Sequence, residues 1–428
     1  MIKRDRPLGN LKSPRITLVV CPYEGEVIDR VTHNFYKPSA VKYMPLGLLS
    51  LAANLREYEV SIIDASSRGL TVAETIDEIN ETEPDILGLS VVTYRAWAMT
   101  EILSNTEAPV KVVGGPHTTK YHRYILDQGA DAVFVGDSEI IFSDWIKNGC
   151  RPGIYFGQPT DLNTIPLPAR ELSNLDDYKI EKREGLLFDA GELRLPLFSS
   201  KGCPLRCNYC DVQQKKYIAK SPQRILEEFM QVEELGATSI HILDDAFNIR
   251  RDRVRSFCKL LEKSEVSIDW SVRGIVEVHD DVIESLANAG CSRFHVGIEH
   301  LDDGVLEFFR KSQRLNHVEK FCESCNKYDL MMIAYFIMGA PGETTEYREK
   351  LPEKIRDLGI DIPYFNVLTP LSDTDFYYQL LNDGVFKDDF WDDFARNPAK
   401  DYVIPSHRSV GEEEELQACI ESYIDYFK

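Results

Sequence analysis

From residue 15 onward, short runs of β-branched residues alternate with amphipathic stretches. Ile16-Thr17-Leu18-Val19-Val20 is followed by a helical period from Leu46 to Arg56, and then by Val60-Ser61-Ile62-Ile63-Asp64. Apolar runs that alternate with helices predict βαβ units in a parallel sheet. The pattern continues through 86–92, 110–113 and 132–135, each run ending in small or polar residues before a helical segment. Five strands are predicted over residues 1–150, a doubly wound α/β sheet of flavodoxin-like (Rossmann-type) form. Residues 151–193 contain Pro152, Pro159, Pro166 and Pro168 without a sustained period, which predicts a linker. A second series then begins, with strands expected at 195–199, 240–243, 268–272, 294–298, 331–337 and 365–368 and helices between them. Six such units over 194–368 make a partial (β/α)6 barrel, whose chemistry belongs at the carboxyl ends of its strands. The remainder, 369–428, is short, acidic and aromatic, with Phe390, Trp391 and Phe394, and is expected to form a small C-terminal helical cap.

Composition narrows the possibilities. At 428 residues and 43% hydrophobic the chain is too long for one ordinary core, so two or three domains are expected. No uncharged apolar run approaches the roughly 20 residues of a membrane helix, and the first residues lead into no apolar signal segment. A soluble, cytoplasmic protein without a membrane partner is expected. Seventy acidic against 49 basic residues give a net charge of −21, which would repel a phosphate backbone, so no nucleic-acid partner is expected. Ten cysteines in such a chain read as metal ligands and buried thiols rather than as a disulfide framework.

Candidate chemistry collects at the predicted strand ends. In the first half these are Ser90 and Thr93, then Gly114-Gly115-Pro116-His117, then Gly136-Asp137-Ser138-Glu139. Ligands of open α/β sheets bind at that edge, and glycines there admit close approach of backbone to a bulky ligand, although a tight turn alone also explains Gly114 and Gly115. In the second half the first strand runs directly into Gly202-Cys203-Pro204-Leu205-Arg206-Cys207-Asn208-Tyr209-Cys210. Three closely spaced thiolates on a loop suit an iron–sulfur cluster, and three ligands on a four-iron cubane leave one iron open; zinc with a distant fourth ligand, or buried thiols, are the alternatives. Cys322 and Cys325, one turn apart, read as a packed helix face.

The CxxxCxxC loop, with aromatic Tyr209 before its last cysteine, resembles the radical S-adenosylmethionine superfamily. Over about residues 15–370, Pro45-Leu46-Gly47-Leu48, Asp85 to Ser90, Gly114 to His117 and Val135 to Glu139 make the chain similar to the cobalamin (B12)-binding class of those enzymes. At the last motif Asp137-Ser138-Glu139 stands where Glu-Gly-Glu is usual. The resemblance implies a [4Fe–4S] cluster on Cys203, Cys207 and Cys210 and S-adenosyl-L-methionine chelated to the open iron. Around that cofactor it implies contacts from Tyr209, Asp244, Asp245, Arg273, Glu299, Gly339 and Pro341. It also implies cobalamin against Ser90, Thr93, Gly114, Gly115, Pro116, His117, Gly136 and Glu139. No Asp-x-His-x-x-Gly motif occurs, so no carboxylate-backed imidazole is offered to the lower face of cobalt, where the loop from Pro22 to Tyr43 with His33 would lie.

The activity this implies is methylation of an unactivated carbon of a peptide or protein residue or of a small natural-product intermediate. One S-adenosylmethionine would methylate the corrinoid; a second would yield the 5′-deoxyadenosyl radical, and the substrate radical would take the methyl group from methylcobalamin. A flavodoxin- or ferredoxin-type electron donor is expected, and no side-chain nucleophile or general base. Rearrangement or oxidative cyclisation without methyl transfer is the alternative within the class. A methylthiotransferase acting on transfer RNA is disfavoured by the acidic tail and by the presence of only Cys21 and Cys150 before the loop. A non-catalytic corrinoid carrier or iron–sulfur sensor is disfavoured by the polar strand ends.

Overall fold

Strand β1 (Arg15–Val20) opens a parallel sheet that continues with β2 (Glu59–Asp64), β3 (Ile86–Ser90), β4 (Val110–Gly114), β5 (Ala132–Val135) and β6 (Gly153–Phe156) in the order β2-β1-β3-β4-β5-β6. The computed structural model describes residues 13–24, 42–180, 189–212 and 215–427. Helices α1 (Leu46–Ala53), α2 (Ala65–Arg68), α3 (Val72–Glu81), α4 (Ala96–Asn105), α5 (Thr118–Asp127) and α6 (Glu139–Lys147) connect the strands. One apolar cluster joins Val19, Leu87, Leu89 and Val113 to Met99 and Ile102 of α4, and a second joins Ile16, Leu18, Val112 and Phe134 to α1 and α6. With both faces covered, these strands read as continuous apolar runs rather than alternating ones. The sheet has six strands, not five. The sixth lies within the proline-rich stretch expected to be linker, because β6 is a half-exposed edge strand of four residues with no burial pattern to announce it.

The second sheet is also parallel and runs in chain order from edge to edge. Its strands are β7 (Arg194–Leu197), β10 (Ser239–Ile242), β11 (Asp269–Gly274), β12 (Cys291–Glu299), β13 (Met331–Met338) and β14 (Ile362–Val367), and a small antiparallel pair, β8 (Ser200–Lys201) with β9 (Ile218–Ala219), frames the cysteine loop. Between them lie α7 (Pro222–Glu234), α8 (Arg251–Leu261), α9 (Asp280–Asn288), α10 (Asp303–Phe308), α11 (Leu315–Lys327) and α12 (Thr345–Asp357). Trp270, fully buried on β11, meets the edges of Phe229 on α7 and Phe257 on α8. Phe294 on β12 meets Phe321 on α11 in the same way. Each such buried aromatic stabilises the helix-facing layer by about 1.5–3 kcal/mol. The opposite edge strands β7 and β14 do not pair among the described residues, so the six βα units form a partial barrel.

The described residues divide into two compact units, those within 13–179 together with Asp388–Pro405, and those within 180–387 together with 406–427. The C-terminal segment therefore does not act as one cap. Helices α13 (Asp375–Asn382) and α15 (Val410–Tyr426) belong to the barrel unit, whereas α14 (Phe390–Arg396) belongs to the unit of the first sheet. There the Tyr124 hydroxyl of α5 donates to Asp392 at 2.8 Å and Gln128 donates to the Ala395 carbonyl at 2.8 Å. No helix among the described residues is long and apolar enough to cross a membrane.

Candidate active site

In the barrel unit the cysteine loop leaves β7 and is fixed at both ends. Asp244, at the end of β10, is fully buried; its Oδ1 accepts the backbone N–H of Ser199 at 2.7 Å and of Ser200 at 3.0 Å, and its Oδ2 accepts both serine hydroxyls. A carboxylate so occupied has no capacity left for a cofactor. Asp244 thus holds the start of the loop, a correction to the expected contact with S-adenosylmethionine. Asp245 differs: one oxygen accepts the Gly202 N–H at 3.0 Å while the side chain stays exposed. Gly202 has φ +80°, and a Cβ there would lie 2.4 Å from the Lys216 carbonyl oxygen, so only glycine closes the loop. At the far end the Asn208 N–H donates to the Phe309 carbonyl at 3.2 Å and its amide to the Phe308 carbonyl at 2.8 Å.

Among the described residues no three His, Cys, Asp or Glu side chains converge as ligands of a single ion. Cys203, Cys207 and Cys210 are instead spread along one loop, near enough to raise one another's pKa, as suits ligands around a multi-iron cluster rather than around one ion. Burial pushes all three thiols up, Cys210 to about 12, while buried Lys311 draws Cys203 and Cys207 back down. Burial alone would lower the Lys311 ammonium, but Glu299 and Cys207 hold it above its ordinary range. The donor set and its cation therefore fit an anionic iron–sulfur cluster.

Lys311 is the residue that sequence reasoning missed. Its ammonium donates to Glu299 Oε1 at 3.1 Å and to the Gly297 carbonyl at 3.2 Å, and Gln313 donates to the Ile298 carbonyl at 2.7 Å. Nothing in its spacing marks it; only the return of the chain after α10 brings it beneath β12. Glu299 sits at a bulge of β12 with φ +67°, uncommon for a residue with a Cβ. Its carboxylate also engages the Tyr209 hydroxyl, whose ring packs edge-on against Phe309 at 5.1 Å. Glu299 thereby joins the cysteine loop to Lys311. Arg273, at the end of β11, is exposed and has no ion-pair partner among the described residues. Beyond β13, Gly339 donates its N–H to Glu343 at 3.0 Å, and a Cβ on it would lie 2.8 Å from Leu416 of α15; its lack of a side chain accommodates that helix, and Pro341 is exposed beside it. Cys322 and Cys325 are buried in the packed face of α11, with burial raising both thiols.

In the first unit the ends of β3 and β4 come together. The Val91 N–H, just past β3, donates to the Gly114 carbonyl at 3.1 Å, and the His117 N–H donates to the Val91 carbonyl at 3.1 Å. Thr93 Oγ1 lies 3.2 Å from His117 Nδ1. Gly115 has φ +96°, and a Cβ on it would fall 2.7 Å from the Val91 carbonyl oxygen, so it serves the backbone crossing itself rather than an open groove. At Gly114, by contrast, an added Cβ meets nothing closer than 4.0 Å. His117 is 1% exposed, burial lowers its imidazole to about 3, and Nε2 has no hydrogen-bond partner among the described residues. A buried imidazole nitrogen left unpaired beside an open backbone edge fits a polar ligand such as cobalamin. Glu139 does not open onto that edge; it is buried and accepts from Ser50 of α1 at 3.3 Å. Gly136, at the end of β5, approaches Gly157, and His33 lies outside the described residues.

Residues 197–355 match the Radical SAM superfamily and residues 38–145 match the B12 binding domain. The chain is 28% identical over 400 residues to an uncharacterized methyltransferase of Pyrococcus horikoshii, covering 85% of this chain and 82% of that protein. It is 26% identical over 363 residues to an uncharacterized methyltransferase of Synechocystis, covering 81% of this chain and 64% of the other. Among solved structures it resembles the radical S-adenosylmethionine methyltransferase TsrM of Kitasatospora setae, determined with cobalamin and a [4Fe–4S] cluster bound. The TM-score is 0.64 at 17% identity, over 86% of this chain and 78% of that one, a likeness of fold.

Proposed function

Because the chain belongs to the cobalamin-binding radical S-adenosylmethionine enzymes, we propose that it is a C-methyltransferase acting on an unactivated carbon. The observation that carries this reading is the junction of the three-cysteine loop with Tyr209, Glu299 and Lys311 at the carboxyl ends of the barrel strands. When bound, the reduced cluster supplies the electron that cleaves the sulfonium of S-adenosylmethionine, and cobalamin supplies the methyl carrier. Cys203, Cys207 and Cys210 hold the cluster, with Lys311 offsetting its negative charge. Asp245 keeps an exposed oxygen that would take the amino group of S-adenosylmethionine, Arg273 would take its carboxylate, and Glu299 its ribose hydroxyls. The turn from Gly339 to Pro341 flanks the adenine. In the first unit Ser90, Thr93, Gly114, Pro116, His117 and Gly136 border the corrinoid, with His117 Nε2 available to its polar periphery. No side chain acts as a nucleophile or general base, and an external flavodoxin- or ferredoxin-type protein delivers the electron. Anaerobic protein supplied with S-adenosylmethionine bearing a trideuterated methyl group should label a small molecule or peptide in cell lysate, and a Cys203→Ala variant should not. Accumulation of 5′-deoxyadenosine without any labelled acceptor would instead support a rearrangement or cyclisation.

A further inference from the structure

The inner layer of a (β/α) barrel is ordinarily filled by bulky branched aliphatic side chains. Here it is not. Successive side chains of a strand point to opposite faces, and Trp270, Phe294 and Phe365 mark the helix-covered face by their contacts with α7, α8, α11 and α15. The residues between them therefore line the concave face, and across the sheet they read Arg194 on β7, His241 on β10, Ser271 on β11, Arg293 and His295 on β12, Tyr335 on β13 and Tyr364 on β14.

All of these but Arg293 touch in a continuous row. Arg194 donates to Ser271 Oγ at 2.6 Å, and Ser271 Oγ lies 2.7 Å from His241 Nδ1. The rings of His241 and His295 are 4.5 Å apart, and His295 Nδ1 lies 2.9 Å from the Tyr335 hydroxyl. Tyr335 stacks in turn on Tyr364 at 5.6 Å, and Tyr364 is 45% exposed, so the row ends in an open aromatic shelf. His295 is 6% exposed, yet its Nε2 has no hydrogen-bond partner among the described residues. A buried, unpaired imidazole nitrogen is costly unless something fills the space before it. The charges facing the two imidazoles are cationic, Arg194, Arg273 and Arg293, which together with burial hold both rings neutral. Asp269 pairs with Arg293 at the opposite end of the strands.

We propose that this concave face is an oxyanion site for the methyl acceptor. His295 Nε2–H donates to a carboxylate or phosphate of the acceptor, Arg194 sets the sign of the charge accepted, and the Tyr335–Tyr364 stack carries the planar or apolar body beside it. In that tautomer Nδ1 accepts from the Tyr335 hydroxyl, 2.9 Å away, and the proton sits on Nε2. This deepens the methyltransferase reading and rests on it for the identity of the ligand as acceptor: a small anionic molecule with a planar or apolar body.

The test is equilibrium dialysis of the full chain carrying its cluster, with S-adenosylmethionine present at saturation so that its own carboxylate site is filled. Labelled inorganic phosphate is the probe in one arm and labelled acetate in the other, at constant ionic strength. One anion should bind per chain, with affinity falling about tenfold or more in His295→Phe and largely restored in His295→Gln, whose amide N–H can stand where Nε2–H stood. Preference for phosphate assigns a phosphorylated acceptor and preference for acetate a carboxylic acid. Should His295→Phe lose its iron, Tyr335→Phe is read in its place and should weaken binding by releasing the tautomer. The proposal is overturned if neither anion binds, or if both bind undiminished in these variants. The titration needs no turnover. Methyl transfer without anion binding contradicts this site alone, and anion binding without methyl transfer contradicts the activity alone.

Discussion

Two adjacent carboxylates, Asp244 and Asp245, are alike in the sequence and unlike in the fold. The first satisfies four donors in a fully buried position and the second accepts one N–H and remains exposed. Replacing Asp245 by Ala should therefore weaken S-adenosylmethionine binding, read by dialysis, with iron content unchanged. Lys311 is a second residue whose weight comes from position. In Lys311→Met the cysteine thiols lose the cation that favours their ionised form, and Glu299 is left buried without its partner. Such variants typically lose about 3–5 kcal/mol, so iron retained per chain after gel filtration should fall while a Lys311→Arg variant keeps most of it. The same thiols set a pH dependence. They are protonated when free, because burial raises them, and must be ionised when they bind iron, so assembly releases protons and its affinity rises with pH. Reconstitution should give less iron at pH 6 than at pH 8, and equal yields would show that the thiols are already ionised in the empty loop.

At the scale of elements, strands were legible where they are buried on both faces, since Ile16 to Val20 or Ile86 to Ser90 can be little else. The edge strand β6 was not, because Gly-Ile-Tyr-Phe is short, half-exposed and embedded among prolines. The cysteine loop was legible from spacing alone, but the tie from Asp244 and the cation from Lys311 require pairings 44 and 12 residues apart that no local pattern encodes. Likewise the glycines at the end of β4 were recognisable as a pair without revealing that they do different work. Gly114 borders open space, whereas Gly115 admits the Val91 backbone. Gly115→Leu should consequently disrupt the sheet edge and lower the melting temperature. Gly114→Leu should leave folding intact and displace cobalamin, seen as loss of its visible absorbance from the purified protein. Retention of full cobalamin in Gly114→Leu would move the corrinoid away from the β4 edge.

At the scale of the whole molecule, each of the two units contributes one ligand-competent carboxyl edge, and the family assignment joins the two chemistries in one chain. The net charge of −21 sits uneasily with a nucleic-acid acceptor and leaves the cationic concave face of the second sheet as a local exception. One cysteine triad also limits the metal content: reconstituted protein should carry about four irons per chain as one cubane, and about eight would require a second set of ligands. The most direct test of methyl transfer is the stoichiometry of co-products in a single anaerobic reaction with trideuteromethyl-labelled S-adenosylmethionine and lysate acceptor. The expected result is one S-adenosylhomocysteine and one 5′-deoxyadenosine for each labelled product, all abolished together in Cys203→Ala. Formation of 5′-deoxyadenosine with no S-adenosylhomocysteine and no labelled product would contradict it.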